Sequence, residues 1–144
     1  MSRGYTLIEL AVVISILGIL GSMAIPSLIV TVKSDRLIST ANRLVSTFKF
    51  ARSEAVKRES DIQLVSSNGD WQVQLNGETI MVFSSNYENI KVEGLANMTV
   101  RASGETTSIN LSIVDNEVDT LDRCFSILVS GQSQLTKGAC ASET

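Results

Sequence analysis

Hydrophobic residues fill the start of the chain without any periodicity. No charged residue occurs over the 23 positions 10–32, which predicts a helix long enough to cross a hydrocarbon core of about 30 Å. The run is longer than the apolar part of a secretory signal and lacks an Ala-x-Ala cleavage site at its end. We therefore expect it to be retained as a membrane-spanning segment.

A helical period appears beyond Val32. Apolar or small residues recur there at alternating steps of four and three: Leu37, Ala41, Leu44, Phe48, Ala51 and Ala55. This spacing predicts one buried helix face, widened by Ile38 and Val45. The basic residues Arg36, Arg43, Lys49 and Arg52 fall outside the stripe, where we expect them to stay hydrated. Helical character should fade near residues 58–61.

The period then changes to two. Ile62 and Leu64, followed by Trp71, Val73 and Leu75, alternate with polar residues and predict half-buried strands. The pairs Asn68-Gly69 and Asn76-Gly77 tolerate positive φ and predict hairpins. Further strands are expected at 79–83, 90–92, 98–101, 108–114 and 124–129. An antiparallel sheet assembly packed on the helix stripe gives an α+β fold.

Composition narrows the possible chemistry. The 144 residues allow one ordinary domain. With no His and only two Cys, histidine-based acid–base catalysis and most metal sites are excluded. Since the chain also lacks a nucleophile elbow, a phosphate loop or a metal signature, we expect no enzymatic activity, no cofactor and no metal site.

Charge divides the chain into three parts. Residues 1–32 are neutral, residues 33–58 carry seven basic against two acidic residues, and residues 59–144 carry four basic against twelve acidic residues, for a total of −3. The acidic stretch 115–122 offers oxygen ligands for calcium but lacks the glycine and the closing glutamate of an EF-hand loop. A solvated acidic loop is the alternative, and it is the usual role of such runs.

Two residues of the apolar segment stand out. Glu9 places a carboxylate in the run, where an unpaired charge at membrane depth costs at least a few kcal/mol. It therefore needs either a cationic partner or contact with headgroups and water. Pro26 has no N–H, so it either kinks the helix near residues 22–24 or marks the end of a first helix.

The N-terminal sequence GYTLIEL of residues 4–10, followed by AVVI, resembles the class III signal of type IV pilins and type II secretion pseudopilins. The resemblance implies cleavage after Gly4 by a prepilin peptidase and methylation of the new N-terminus at Tyr5, where the family usually has Phe. It also gives Glu9 a partner, the N-terminal ammonium of a neighbouring subunit, in a pair that sets register more than it adds stability. Pro26 matches a proline at which pilin helices loosen during assembly.

The segment FKFARSEAVKR of residues 48–58, followed by an extended run and Trp71, is similar to the FimT/FimU and GspH branch of minor pilins and pseudopilins. This second resemblance implies a minor pilin that primes assembly of a type IV pilus or lies at its tip. The alternatives are a GspH-like minor pseudopilin of type II secretion and a DNA-binding minor pilin for transformation.

The DNA alternative depends on the stretch 130–138, which matches an arginine-containing loop of FimT proteins. Gln replaces the expected arginines, and only Lys137 is cationic. Because phosphate contacts supply most non-specific DNA affinity, DNA is not expected as a partner.

The resemblance also divides the chain and places it in the cell. Residues 1–4 would be the leader, 5–32 the membrane and filament-core helix, 33–60 its amphipathic half and 61–144 a β-rich head. The expected partners are other pilins, the prepilin peptidase and the inner membrane, with the head in the periplasm before assembly into a pilus or pseudopilus. In that oxidising compartment Cys124 and Cys140 should form a disulfide; two unpaired thiols are the alternative.

Overall fold

The computed structural model describes residues 6–116 and 121–140. Its longest element is the helix α1, Leu7–Arg58. The Thr6 hydroxyl caps the first turn by accepting a hydrogen bond from the Glu9 N–H at 3.3 Å. At the other end Glu59 adopts a left-handed conformation, φ 49°, and its N–H bonds the carbonyls of Ala55 and Val56. Helical character therefore ends where the sequence predicts.

The helix is continuous through Pro26, so the alternative in which this proline ends a first helix is wrong. Residues on both sides of it remain helical, although proline removes one backbone donor from the helix. The kink near residues 22–24 stays a prediction.

Eight strands form two antiparallel sheets. They are β1 Ile62–Ser67, β2 Asp70–Leu75, β3 Glu78–Phe83, β4 Ile90–Glu93, β5 Met98–Val100, β6 Ile109–Asp115, β7 Arg123–Ile127 and β8 Ser133–Lys137. The first sheet has the order β3-β2-β1-β5, and the second has the order β4-β6-β7-β8. Both predicted hairpin turns are confirmed: Asn68 and Gly69 have φ of 52° and 83°, and Asn76 and Gly77 have φ of 51° and 84°.

The core lies between the two sheets and the second half of α1. Every residue of the predicted stripe is at most 1% exposed, which confirms it. Ile38 and Val45 are only half-buried, and the stripe is instead flanked by buried Thr40 and Thr47. Their hydroxyls bond the carbonyls of Arg36 and Arg43 at 3.0 and 2.9 Å, so neither buried hydroxyl is left unsatisfied.

The end of the chain differs from the sequence prediction. The segment 130–138, expected as a loop, contains the edge strand β8. The preceding strand ends at Ile127 because Leu128 and Gly131 close a turn, with the Gly131 N–H donating to the Leu128 carbonyl at 2.8 Å. A disulfide joins Cys124 in β7 to Cys140 beyond β8, so the alternative of unpaired thiols is wrong.

Candidate functional site

The exposed half of α1 is the first candidate surface. Large hydrophobic side chains from Leu7 to Val32 lie outside the core, with exposed fractions from 46% to 88%. By length and composition α1 can cross a membrane. An apolar surface of this extent requires lipid or protein around it.

Three hydroxyl groups within this apolar half are satisfied by the helix itself. The hydroxyls of Ser15, Ser22 and Thr31 donate to the carbonyls of Ala11, Ile19 and Ser27 at 2.8, 2.7 and 3.1 Å. Hydroxyls that bond their own helix in this way do not need water. This half can therefore enter lipid or a helix bundle without leaving these three hydroxyls unpaired.

Glu9 interrupts that surface in the first turn of the helix. Its side chain is exposed, and its N–H bonds the cap residue Thr6. The positive end of the helix dipole stabilises a carboxylate here. This stabilisation offsets only part of the free energy that the carboxylate loses when an apolar environment removes its water. Gly4 and Tyr5, predicted as the processing site, lie outside the described residues, as do residues 117–120 of the acidic stretch.

Arg52 is half-buried and bonded to the protein, whereas the helix pattern predicts a fully hydrated side chain. Its Nε donates to the Gly104 carbonyl at 3.1 Å, and its Nη2 donates to the Ser130 carbonyl at 3.4 Å. Gly104 follows β5 in the first sheet, whereas Ser130 follows β7 in the second. One helix cation therefore ties together the loops of both sheets.

Gly131 makes this arrangement possible. Its φ is +73°, and a Cβ at this position would collide with the Gly104 carbonyl and lie 2.5 Å from Arg52 Nε. Only glycine combines this backbone conformation with so close an approach. The hydrogen bond from the Thr106 N–H to the Val129 carbonyl, 2.9 Å, joins the same two loops.

An open groove runs between the C-terminal half of α1 and this loop, with a volume of about 1140 Å³. Lys49, Arg52 and Lys57 supply its charge, and no carboxylate lines it among the described residues. We name it the helix–loop groove. Lys137, the predicted DNA contact, is exposed at the end of β8 and does not line it. Sequence reasoning missed the groove because its cations and its loop are more than 70 residues apart.

A protruding apolar helix whose second half lies under antiparallel sheets is the architecture of a type IV pilin-like subunit, a minor pilin or pseudopilin. Residues 1–25 match the prokaryotic N-terminal methylation motif. The chain belongs to the family of type II transport protein GspH, which it matches over residues 40–132, more than half of its length. Family and fold are those of structural filament subunits.

The solved structures support the same fold. The chain is similar to the type IV minor pilin FimU of Pseudomonas aeruginosa PAO1 in two crystal forms, with 20% sequence identity in each. The P21 form gives a TM-score of 0.62, and the match covers 71% of this chain and 89% of the FimU chain in the crystal. The P65 form gives 0.57 and covers 68% and 90%. No curated protein matches the chain.

Proposed function

We propose that the chain is a non-enzymatic minor pilin that joins a type IV pilus through the exposed half of α1. The observation that carries the proposal is the continuity of this apolar half with a second half buried in the head. Such a helix can exchange lipid for neighbouring pilin helices without rearranging the head. The subunit then primes assembly or occupies the tip.

Processing and register follow from the same segment. A prepilin peptidase cleaves after Gly4 and methylates Tyr5, and residues 5–32 become the filament-core helix. Glu9 pairs with the N-terminal ammonium of a neighbouring subunit. Because an unpaired carboxylate among apolar helices is costly, only one axial register satisfies both charges.

Before assembly the chain spans the inner membrane once, with the head in the periplasm. The disulfide between Cys124 and Cys140 supports an oxidising compartment. The partners are other major and minor pilins, met through the helix.

Mass spectrometry of the N-terminal peptide tests this proposal. We expect a peptide that begins at methylated Tyr5 in sheared surface filaments. Glu9→Gln should lower incorporation at least severalfold, while the exposed head carboxylate variant Glu78→Gln should assemble normally. An uncut Met1 terminus confined to the membrane would contradict the proposal.

The alternative is a minor pseudopilin of type II secretion, favoured by membership of the family of type II transport protein GspH. Both functions need the same helix and head, so the test must be made in cells. Deletion of the gene should abolish surface filaments and leave secretion of exported enzymes unchanged. The opposite result assigns the chain to the secretion machinery.

DNA binding remains a second candidate function because of the helix–loop groove. Its two lysines, Lys49 and Lys57, are unopposed by lining carboxylates and offer more phosphate contacts than Lys137 alone. If the groove binds DNA, Lys49→Gln combined with Lys57→Gln should reduce the salt dependence of duplex binding by about two counterions. Lys137→Gln should leave it unchanged.

A further inference from the structure

A second, smaller cavity lies where α1 enters the head, at the end of the apolar segment. It has a volume of about 250 Å³, and its wall comes from the helix on one side and the segment that connects β3 to β4 on the other. Both signs of charge line it: Lys33 and Arg36 from the helix, Glu88 from the connection and Asp115 from the end of β6. We name it the junction cavity.

The position of the junction cavity is set by the membrane span. Val32 is the last residue of the uncharged segment, so it lies at the edge of the hydrocarbon core. Arg36 follows four residues later, about 6 Å further along the helix axis. The headgroup layer on each side of a bilayer is about 5–8 Å thick. The Arg36 guanidinium therefore reaches the level of lipid phosphates.

The surface of α1 leads a lipid to the cavity. Ile25, Ile29 and Val32 form an apolar strip that ends at Lys33 and Arg36. An acyl chain along this strip would bring its headgroup to Arg36. The junction cavity and this apolar strip therefore share two lining residues, Lys33 and Arg36.

The residues that line the junction cavity are held in place. The Arg36 guanidinium carbon lies 5.4 Å from the centre of the Tyr87 ring, a cation–π contact. The Ser85 hydroxyl lies 3.0 and 2.9 Å from the carbonyls of Tyr87 and Ile90. The Asn116 N–H donates to the Asn89 carbonyl at 3.0 Å. These bonds fix the connection that presents Tyr87 and Glu88 to the helix.

We propose that the junction cavity binds the zwitterionic headgroup of an aminophospholipid, with Arg36 on the phosphate and Glu88 on the primary ammonium. The pairing follows from charge complementarity, since a phosphate bound at Arg36 would also meet the Glu88 carboxylate across the cavity. The side-chain amides of Asn86 and Asn89 supply further donors for the phosphate. The inference rests on the proposed membrane anchorage but not on filament type.

The ammonium is the discriminating group. A primary ammonium donates three hydrogen bonds and fits a carboxylate, whereas the trimethylated ammonium of phosphatidylcholine donates none. Quaternary ammonium is recognised by aromatic faces, and one face of Tyr87 is already covered by Arg36. A phosphatidylglycerol headgroup carries no cation for Glu88. Of these three lipids, phosphatidylethanolamine therefore offers both a phosphate for Arg36 and a hydrogen-bonding ammonium for Glu88.

Native mass spectrometry of the full-length chain in detergent tests this, with phosphatidylethanolamine, phosphatidylcholine and phosphatidylglycerol of identical acyl chains. We expect phosphatidylethanolamine to bind about fivefold more tightly than phosphatidylcholine, the effect of one partly exposed charge-assisted hydrogen bond. Glu88→Gln should remove this preference, and Arg36→Gln should weaken all three lipids. The matched controls Glu78→Gln and Arg43→Gln should bind like the unmodified chain.

Equal binding of phosphatidylethanolamine and phosphatidylcholine would overturn the proposal, as would a preference for phosphatidylglycerol or a loss of selectivity in either control. If a variant fails to fold, competition on the unmodified chain decides instead: soluble phosphoethanolamine should displace lipid at lower concentration than phosphocholine. Filament incorporation is measured separately, so failure here leaves the assembly proposal standing. A chain that does not insert into membranes at all would refute the anchorage itself.

Discussion

The Arg52 Nε donates a 3.1 Å hydrogen bond to the carbonyl of Gly104, which joins α1 to the loop that follows β5. A second bond reaches Ser130 in the other sheet's loop. Because bonds to a charged donor are stronger than neutral ones, this side chain secures both loops to the helix.

Replacing Arg52 by Ala should lower the free energy of unfolding by about 2 kcal/mol, since two carbonyls lose a charged donor. Urea unfolding of the full-length chain in detergent measures this, with fluorescence of Trp71, the only Trp and fully buried, as the signal. Lys49→Ala, an exposed residue of the same groove, should change stability by less than about 0.5 kcal/mol. Equal effects of the two variants would show that the hydrogen bonds contribute little.

Gly131→Ala should be more damaging than Arg52→Ala. The added methyl group would overlap the Gly104 carbonyl and the Arg52 side chain, and the backbone φ of +73° is unfavourable for alanine. Together the overlap and the backbone strain should lower the free energy of unfolding by about 3 kcal/mol or more. Gly69→Ala is the matched control, with φ of +83° and open space around the new Cβ. It should cost only about 1–2 kcal/mol, the penalty of a Cβ in a left-handed backbone conformation. Similar melting temperatures for the two variants would contradict the close approach.

The disulfide should stabilise the end of the head. Cys124 and Cys140 are 16 residues apart, and closure of a loop of this length contributes about 3 kcal/mol in the chain-entropy description. Reduction with dithiothreitol should lower the urea midpoint accordingly. The double variant Cys124→Ala with Cys140→Ala should start lower and show no response to the reductant. Retained sensitivity in that variant would indicate another cause.

The alanines of the helix stripe set how closely the sheets approach. Ala51 is fully buried, so Ala51→Leu should overpack the core and lower stability by about 1–3 kcal/mol. Ser46→Leu, at an exposed position of the same helix, adds the same side chain without that crowding. Thermal unfolding followed by circular dichroism compares them, and a Ser46→Leu variant that is the less stable of the two would refute the packing argument.

Local patterns were sufficient to predict most of the architecture. The uncharged run, the three-and-four spacing from Leu37 to Ala55 and the Asn-Gly pairs each encode a conformation within a few residues, because helix periodicity and positive φ are local properties. The methylation motif is also local and lies at a fixed place in the sequence. These features were enough to predict the α+β class, both hairpins and the kind of subunit.

Tertiary structure decided what depends on residues far apart in the chain. The strand β8 has one large apolar residue, Leu135, and becomes a strand because β7 offers it a hydrogen-bonded edge. The sequence pattern predicts that Arg52 is a solvated helix cation. In the structure its side chain instead donates to the loop carbonyls of Gly104 and Ser130. Arg36 contacts Tyr87 only because the head folds back to the end of the apolar half of α1. Local sequence patterns thus predict the helix, the hairpin turns and the apolar segment. The edge strand β8, the helix–loop groove and the junction cavity depend on contacts between distant residues, which local patterns do not contain.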